Sequence, residues 1–351
     1  MKKTVFAAMS GGIDSSVAAY LLLRENYNVT GATMTLYDPQ SSGANSQDVL
    51  DARSVCCQLG IPHVTYDMGK AFEKAVIEDF IRTYEAGGTP NPCVVCNKHI
   101  KFGALLDAVT TDGAELMATG HYARLETDGS GRTLLCKGRD ESKDQSYFLW
   151  QLTSETLSRV LFPLGHLTKA EIREMGQALQ LSTAHKSDSQ DICFVPDGKY
   201  AEFMIAYTGR TPDAGHFIDE SGRVLGQHKG IIHYTVGQRK GLGIALGSPM
   251  FVTSKNAADR TVTLGANQSL MTKEIHLDNV NLLATHAIDA PMRTTVKLRS
   301  THKGASAVIQ MTGEHTALLT FDEEQRAAAP GQSAVFYDGD VVVGGGVISV
   351  E

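Results

Sequence analysis

The chain has 351 residues, 42% of them hydrophobic and 20% charged, a composition that favours a folded globular protein over a disordered one. The net charge is −7, and no apolar run approaches the roughly 18 residues that span a bilayer, which argues against an integral membrane protein. Six cysteines are too few for a disulfide scaffold at this length, so we expect a reducing, cytoplasmic location. The apolar stretch 4–9 is too short for a secretory signal, and we expect no leader.

The first half of the chain alternates short apolar strands with helical patterns. We predict strands at 3–9, 29–37, 63–68 and 115–123, and helices at 15–24, 47–59, 71–86, 100–109 and 167–181. Strands that alternate with helices indicate β-α-β crossovers and a largely parallel sheet.

The pattern changes after about Tyr207, where glycines, turns and short alternating strands replace helices. Strands are predicted at 261–265 and 294–298, and 341–350 holds enough Val, Ile and Gly for a strand pair. We therefore predict an α/β domain with a parallel sheet over 1–205, a small connecting domain over 206–269, and an antiparallel barrel or sandwich over 270–351.

Basic residues are concentrated in the second half. Residues 221–258 hold five Lys or Arg and 291–313 hold four, without any Asp or Glu, whereas the other 290 residues carry 23 basic and 39 acidic side chains. The two windows are either solvated strand faces or a surface that displaces counterions from a phosphate backbone. Charge alone does not decide between these interpretations.

The segment 9–16 has the sequence MSGGIDSS, between the first predicted strand and the first predicted helix. Two glycines let the backbone approach an anion closely. The helix N-terminus offers N–H groups, and three serines offer hydroxyl donors. Because a carboxylate repels phosphate, Asp14 indicates a bridging Mg²⁺. We interpret the segment as a phosphate loop rather than a capped glycine turn.

This loop is not a Walker loop, since no Gly-Lys-Ser/Thr occurs, and Gly241, Gly243 and Gly247 lack dinucleotide-fingerprint spacing. Its Ser-Gly-Gly-x-Asp-Ser pattern resembles the PP-loop of the N-type ATP pyrophosphatases. The resemblance implies that ATP is split between its α and β phosphates, that AMP is attached to a substrate oxygen, and that a nucleophile displaces it.

Three cysteines are candidates for that nucleophile. Cys93 and Cys96 form a C-x-x-C pair in a Pro-flanked segment that we predict to be a loop between helices, and Cys193 lies in the polar segment 186–194. Lys98, Lys101 and a helix N-terminus near Cys96 would lower a thiol pKa below about 8.5.

Other uses of these cysteines are less consistent with the sequence. No second C-x-x-C or His pair completes a structural zinc site, and the setting differs from that of a thioredoxin-type pair. We expect Cys56, Cys57 and Cys136 to be buried small hydrophobic residues.

Further motifs make the chain resemble the tRNA-specific 2-thiouridylases of the MnmA family over nearly its full length. Beside the phosphate loop and NPxxxCN at 91–97, they are ATGHYA at 118–123, KDQSY at 143–147, FPLG at 162–165, YTVGQRKG at 234–241 and PGQ at 330–332. The resemblance implies a PP-loop ATP pyrophosphatase domain, a small tRNA-contacting connecting domain and a C-terminal β-barrel. It also implies ATP-dependent replacement of O2 by sulfur on the wobble uridine of the tRNA anticodon.

The resemblance assigns roles by position. Residues implied to bind ATP are Ala8, Met9, Ser10, Gly11, Gly12, Ile13, Asp14, Ser15, Met34 and Gly120. Those implied to contact the target base are Asn91, Pro92 and Cys93, and those implied to contact tRNA are His121, Lys143, Asp144, Gln145, Arg299, Ser300 and Gln332. Cys193 is implied to accept a persulfide from a sulfur-relay protein or a cysteine desulfurase, and Cys96 to be the second catalytic thiol.

These roles leave alternatives open. A Cys96–Cys193 disulfide would require Cα atoms about 4.4–6.8 Å apart. Three converging thiols, with Cys93, could instead hold an iron–sulfur cluster. Two other functions are an amine-using PP-loop tRNA ligase, which needs neither thiol, and a non-catalytic nucleotide- or zinc-binding RNA module.

Overall fold

The structure, a computed structural model, describes residues 2–37, 46–184, 186, 192–195, 198–245 and 247–349. It divides into two compact units. Unit 1 comprises Met1–Val76, Cys93–Gln190 and Asp340–Val342, and unit 2 comprises Ile77–Pro92, Asp191–Gly339 and Val343–Glu351. In the described part of the chain, no helix is long and apolar enough to cross a membrane.

The described residues form seventeen strands and nine α-helices, named in chain order. Strands β1 to β17 are Thr4–Ala8, Asn28–Thr35, His63–Asp67, Leu116–Ala118, Ala123–Thr127, Thr133–Lys137, Val160–Leu161, Gly215–Asp219, Val224–His228, Phe251–Asn256, Thr261–Gly265, Met271–Leu282, Met292–Lys297, Ala305–Gly313, Thr316–Arg326, Ser333–Asp338 and Val341–Ile348. Helices α1 to α9 are Ile13–Arg24, Gln47–Leu59, Gly69–Phe72, Glu78–Glu85, Pro92–Cys96, Leu106–Thr111, Ser154–Ser158, Lys169–Ala178 and Tyr200–Thr208.

Unit 1 contains a five-stranded parallel sheet in the order β3-β2-β1-β4-β7. Its core packs apolar residues of β1, α1 and α2, including Val5, Val17, Leu22 and Val55. The parallel α/β prediction is confirmed. The predicted strand 115–123 is shorter than expected, because β4 ends at Ala118.

The predicted helices 71–86 and 100–109 differ in their bounds from the observed ones. π-helical Glu73–Ile77 joins α3 to α4, and π-helical Asn97–Leu105 joins α5 to α6. The second of these helices begins at Pro92, eight residues before its predicted start. Proline is favoured at the first helical position because its fixed φ suits a helix and its missing N–H needs no partner there. The predicted loop around the two cysteines is therefore the first turn of a helix.

Unit 2 holds two β-structures. A four-stranded sheet in the order β10-β11-β8-β9 packs around Phe217, Val252 and Leu264. The six strands β12 to β17 close into an antiparallel barrel, since β12 pairs with both β15 and β17. The barrel alternative to a sandwich is thus confirmed.

The predicted strand pair at 341–350 is wrong: the segment forms a single strand, β17. Its glycines allow close packing rather than a turn, since a Cβ on Gly344 would lie 2.3 Å from the Asn281 carbonyl oxygen.

Candidate active site

The phosphate loop connects the end of β1 to α1. Gly11 has a φ of +68°, and a Cβ there would lie 2.6 Å from the Asp48 carbonyl oxygen. Only glycine meets both the backbone conformation and the available space. Gly12 is the extended N-cap of α1 and supplies no side-chain cap. No N-cap side chain therefore occupies the first N–H groups of α1, and free N–H groups at a helix N-terminus are suited to binding an anion.

The loop serines stabilise the loop itself. The Ser15 and Ser16 hydroxyls both donate to the Gly12 carbonyl oxygen, at 3.1 and 2.8 Å, and the Ser10 N–H donates to Ser15 Oγ at 3.1 Å. The Ser15 and Ser16 hydroxyls thus have hydrogen-bond partners within the loop, and their role as donors to an anion stays a prediction.

Strand order places a second segment beside the loop. β2 and β3 lie on one side of β1, and β4 and β7 on the other, so β1 and β4 form a topological switch point. Ligands of open parallel sheets bind at the carboxyl ends of strands at such points. Gly120 follows β4, and a Cβ there would lie 3.0 Å from the Ser15 nitrogen. Half-buried Met34 lies near the end of β2. The residues predicted to bind ATP thus share one sheet edge.

A buried lysine, not identified from sequence patterns, contacts the loop. Lys169 Nζ lies 2.8 and 2.9 Å from the Asp14 carboxylate oxygens, and the Tyr122 hydroxyl donates to Asp14 Oδ1 at 2.7 Å. The Lys169 side chain is 8% exposed. Lys169 is the first residue of α8, after a capping box between Thr168 and Glu171. That box is readable in the sequence as a helix start, but the contact of Lys169 with Asp14 has no local signal.

Lys186 contacts the same loop. Its Nζ donates to the Gly11 carbonyl oxygen at 3.3 Å, to Asp48 at 2.6 Å and to Asp51 at 3.0 Å. Burial lowers the Lys186 pKa, but the two carboxylates outweigh it and the pKa is raised. The hydrogen bond from Lys186 lowers the pKa of Asp51. Lys186 therefore ties the loop carbonyl to α2.

The cysteine-bearing helix, 92–111, presents two thiols in its first turn. Cys93 is exposed, whereas Cys96 is only 9% exposed. Although Cys93 is accessible to solvent, the protein packed around it and around Cys96 desolvates both thiols and raises the pKa of each, and the positive charge of Lys101 offsets this only in part. The prediction of a lowered thiol pKa is therefore wrong in this structure, because the protein packed around the thiols desolvates a thiolate more than the nearby cation stabilises it.

The helix widens into its π segment directly after Cys96. The first π residue, Asn97, donates from Nδ2 to the Phe148 carbonyl oxygen at 3.0 Å. Among the described residues, its buried Oδ1 has no hydrogen-bond partner. Such π segments are frequent at functional sites. Half-buried Asn91 immediately precedes the helix.

Cys193 lies in the short described stretch 192–195 and is exposed. The next residue, Phe194, packs edge-on against Phe80 and Phe203, with ring centroids 5.3 Å apart in both pairs. Cys193 belongs to unit 2 and Cys96 to unit 1. The approach of their sulfurs stays a prediction.

The other cysteines differ in exposure. Cys56 and Cys136 are buried, as predicted, and burial raises the pKa of each to about 11. Cys57 is exposed rather than buried. Across the described ranges, no three His, Cys, Asp or Glu side chains form a group that could hold a metal ion, and the iron–sulfur cluster stays a hypothesis.

His121, a predicted tRNA contact, is buried in an aromatic environment. Its ring packs against Phe102 and Phe162, with centroids 5.7 and 5.9 Å away, and its Nδ1 lies 2.7 Å from Thr119 Oγ1. Burial lowers its pKa well below the usual value, which keeps the ring neutral. Contact with RNA would require these neighbours to move, and this role stays a prediction.

Asp144 and Gln145 shape their own loop. Asp144 accepts the Ser146 N–H at 3.1 Å, and Gln145 accepts the Tyr122 N–H at 3.0 Å. Lys143 beside them is half-buried. Any tRNA contact by these residues therefore depends on a loop that Asp144 and Gln145 stabilise.

The predicted RNA contacts of the barrel also differ in exposure. Arg299 is exposed and Ser300 half-buried in the turn after β13. Half-buried Gln332 instead donates from its side-chain nitrogen to the carbonyl oxygens of Thr89 and Pro90. Gln332 thus has a structural role that the sequence did not indicate.

The two basic windows are less uniformly positive at the surface than in the sequence. Lys255 is half-buried, and Arg223 and Arg293 pair with Asp219 and Asp322, acids outside the windows. The exposed basic residues of the windows include Lys229, Arg239, Lys240, Arg299 and Lys303. These five side chains are exposed cations, and their contact with a phosphate backbone stays a prediction.

The fold and site define a class: a phosphate-loop nucleotide-binding α/β domain with a cysteine-bearing helix, followed by two β-domains. Comparisons with known proteins agree. A family model described as a tRNA methyl transferase HUP domain matches residues 3–197, a tRNA methyl transferase PRC-barrel domain matches 201–266, and an aminomethyltransferase beta-barrel domain matches 272–348.

Full-length relatives specify the transferred group. The tRNA-specific 2-thiouridylase MnmA of Clostridioides difficile is 44% identical over 355 residues, covering 99% of this chain and 98% of the relative. That of Acetivibrio thermocellus is 44% identical over 356 residues, covering 99% of both. The chain belongs to the tRNA-specific 2-thiouridylase family and is a tRNA sulfurtransferase.

A solved 4-thiouridine synthetase–RNA complex with bound ATP is 18% identical, with a TM-score of 0.35, over 58% of this chain and 50% of that one. A likeness at this level adds nothing to the family assignment.

Proposed function

We propose that the chain adenylates O2 of the wobble uridine of tRNA with ATP and replaces it with sulfur from a persulfide on Cys193. The observation that carries the proposal is the phosphate loop at the β1–β4 switch point, with Gly11 and Gly120 at positions where a Cβ would crowd the backbone. Such a cradle suits the phosphates of ATP.

The residues of the loop also fit Mg²⁺. This ion is usually held by one or two carboxylates together with substrate phosphates, and Asp14 supplies a carboxylate that Lys169 and Tyr122 hold in place. Bound there with phosphate oxygens, the ion would neutralise charge that develops on the α and β phosphates. Lys169 is close enough to compensate the charge of Asp14 when no nucleotide is bound.

The proposed chemistry has two stages. In the first, the uridine O2 attacks the α-phosphorus, the bond to the β-phosphate breaks, and pyrophosphate leaves. In the second, the terminal sulfur of the Cys193 persulfide is delivered to C2, and AMP leaves with the former O2.

Cys96 has one of two roles in the second stage. It attacks Cys193 Sγ, which releases the sulfur and leaves a Cys96–Cys193 disulfide that an external dithiol must reduce. Alternatively, it attacks C2 and expels AMP, the terminal persulfide sulfur then displaces Cys96 from C2, and an external dithiol cleaves the remaining S–S bond to Cys193. In both cases Cys96 must ionise against a raised pKa, so a proton acceptor must be near when substrates are bound.

The test is incubation with tRNA, MgATP and a persulfide donor, followed by mass analysis of the anticodon nucleosides. We expect sulfur in place of oxygen on one uridine, and loss of that product in both Cys96→Ser and Cys193→Ser. An amine-using ligase would keep its activity in both variants, and a non-catalytic module would release no pyrophosphate. Either result would overturn the proposal.

A further inference from the structure

The segment 87–90, of sequence GGTP, ends just before the cysteine-bearing helix begins at Pro92. The segment belongs to unit 2. Two side chains from different β-structures of that unit hold its backbone.

Lys255, in β10, is the first. Its Nζ donates to the Gly88 carbonyl oxygen at 3.1 Å and to the Tyr234 carbonyl oxygen at 2.8 Å, and it lies 5.5 Å from the centre of the Tyr84 ring. Burial lowers the pKa of Lys255 to about 8. Among the described residues, its ammonium has no carboxylate within ion-pair distance. Holding a desolvated cation on two carbonyl oxygens is costly, which indicates a specific use.

Gln332, beside the barrel, is the second. Its Nε2 donates to the Thr89 and Pro90 carbonyl oxygens, at 3.1 and 2.9 Å, which uses both amide hydrogens. The Thr89 N–H donates to the Pro330 carbonyl oxygen at 2.7 Å. Gly331 has a φ of +86°, and a Cβ there would lie 2.9 Å from the Thr89 carbonyl oxygen. The PGQ motif at 330–332 thus encloses Thr89.

We propose that Lys255 and Gln332 are positioning residues that fix the first turn of the cysteine-bearing helix. Together they bind three consecutive carbonyls, those of residues 88–90. Because Pro90 and Pro92 have fixed φ angles, the backbone between these carbonyls and the helix start has few free torsions. Holding the carbonyls therefore restricts the position of the helix start. The inference rests on the proposed function in so far as Cys96 is the catalytic thiol, and it assigns a role to Lys255, which no sequence motif indicates.

A role of Gln332 in binding tRNA makes a different prediction. If Gln332 acts on RNA, removing its amide weakens tRNA binding. If it positions the helix, its loss changes the accessibility of Cys96 in the protein alone and slows sulfur transfer, while tRNA affinity is retained.

The experiment uses the full chain and the variants Gln332→Met, Lys255→Met and Lys255→Arg. The matched control is Gln58→Met, since Gln58 also donates to a backbone carbonyl, that of Gln180, at 3.3 Å and away from the segment. Alkylation of Cys96 by iodoacetamide at pH 8 is measured without tRNA or ATP. Single-turnover sulfur transfer and the tRNA Kd are measured in parallel.

We expect Cys96 alkylation to be about fivefold faster in each Met variant, because lost hydrogen bonds ease local opening. Sulfur transfer should slow about tenfold, with the tRNA Kd within about twofold of the parent. Lys255→Arg, which keeps donors, should recover most of the loss, and Gln58→Met should match the parent.

Unchanged alkylation and transfer in both Met variants, with melting temperatures close to the parent, would overturn the inference, as would a change confined to tRNA Kd. If Lys255→Met melts below the assay temperature, Gln332→Met decides alone. If the parent protein makes no 2-thiouridine but the Met variants still show faster alkylation of Cys96, the proposed function is contradicted and the positioning role is retained.

Discussion

The phosphate loop and the cysteine-bearing helix are stabilised over different ranges of the chain. Within the loop, the hydroxyls of Ser15 and Ser16 bond to a carbonyl three and four residues away. The segment just before the helix is bound by Lys255 at the Gly88 carbonyl oxygen and by Gln332 at the Thr89 carbonyl oxygen, 167 and 243 positions further along the chain. The hydroxyl hydrogen bonds within the loop are therefore local, whereas the segment before the helix depends on side chains from the two β-structures of unit 2.

The variant Cys96→Ser should separate the role of the cysteine-bearing helix from that of the phosphate loop most clearly. Sulfur transfer should fall by about 10³-fold or more, the scale of losing an essential nucleophile. Release of pyrophosphate in the presence of tRNA should persist, because that step belongs to the phosphate loop. Exposed Cys57 provides the control, and Cys57→Ser should match the parent in both assays. An unchanged rate of sulfur transfer in Cys96→Ser would show that Cys96 takes no part in the reaction.

The variant Gly11→Ala tests the phosphate loop. The new Cβ would meet the Asp48 backbone at 2.6 Å in a left-handed conformation, so ATP affinity should fall about a hundredfold, equivalent to ~3 kcal/mol. Gly60 has the same φ, +68°, and open space around its Cβ position. Gly60→Ala should lower the free energy of unfolding by about 1–2 kcal/mol and leave ATP binding unchanged in calorimetry. Equal ATP affinities for the two variants would show that ATP binding does not require glycine at position 11.

The β-domains are tested by charge reversal. Lys229→Glu, Lys240→Glu and Lys303→Glu should each weaken tRNA binding about tenfold and reduce the slope of log K against log salt by about one. Exposed Lys74 of unit 1 is the matched control. Filter binding at several salt concentrations gives both quantities. Unchanged binding across all three variants would show that these windows are solvated strand faces.

The smallest expected effect is a pH dependence. Because burial raises the pKa of Cys96, less thiolate is present at pH 7.5, and alkylation should be several-fold slower than that of a free cysteine. Its rate should increase with pH and still be rising at pH 9, where a free thiol approaches its plateau. A plateau below pH 8 would show that the thiol is activated in the protein alone.

Local signals predicted much of the fold. Helix α2 begins and ends at the predicted residues, 47 and 59. Its end was predictable because Gly60 supplies the left-handed C-cap. The prediction of a loop around Cys93 and Cys96 is wrong, since the proline before them, Pro92, is as compatible with the first residue of a helix as with a loop.

The site was predictable only where its contacts are local. The phosphate loop follows from eight consecutive residues, but the partner of Asp14, Lys169, lies 155 positions away. The thiol pKa depends on how much water the surrounding protein excludes, which no spacing of lysines in the sequence reveals.

The central claim is that AMP carries away the oxygen that sulfur replaces. It can be measured directly with a tRNA whose wobble uridine bears ¹⁸O at O2, in one turnover with MgATP and persulfide-loaded enzyme. We predict that the label appears in the phosphate of AMP, in proportion to the 2-thiouridine formed. Label released as water, or recovered in pyrophosphate, would contradict adenylation of the base.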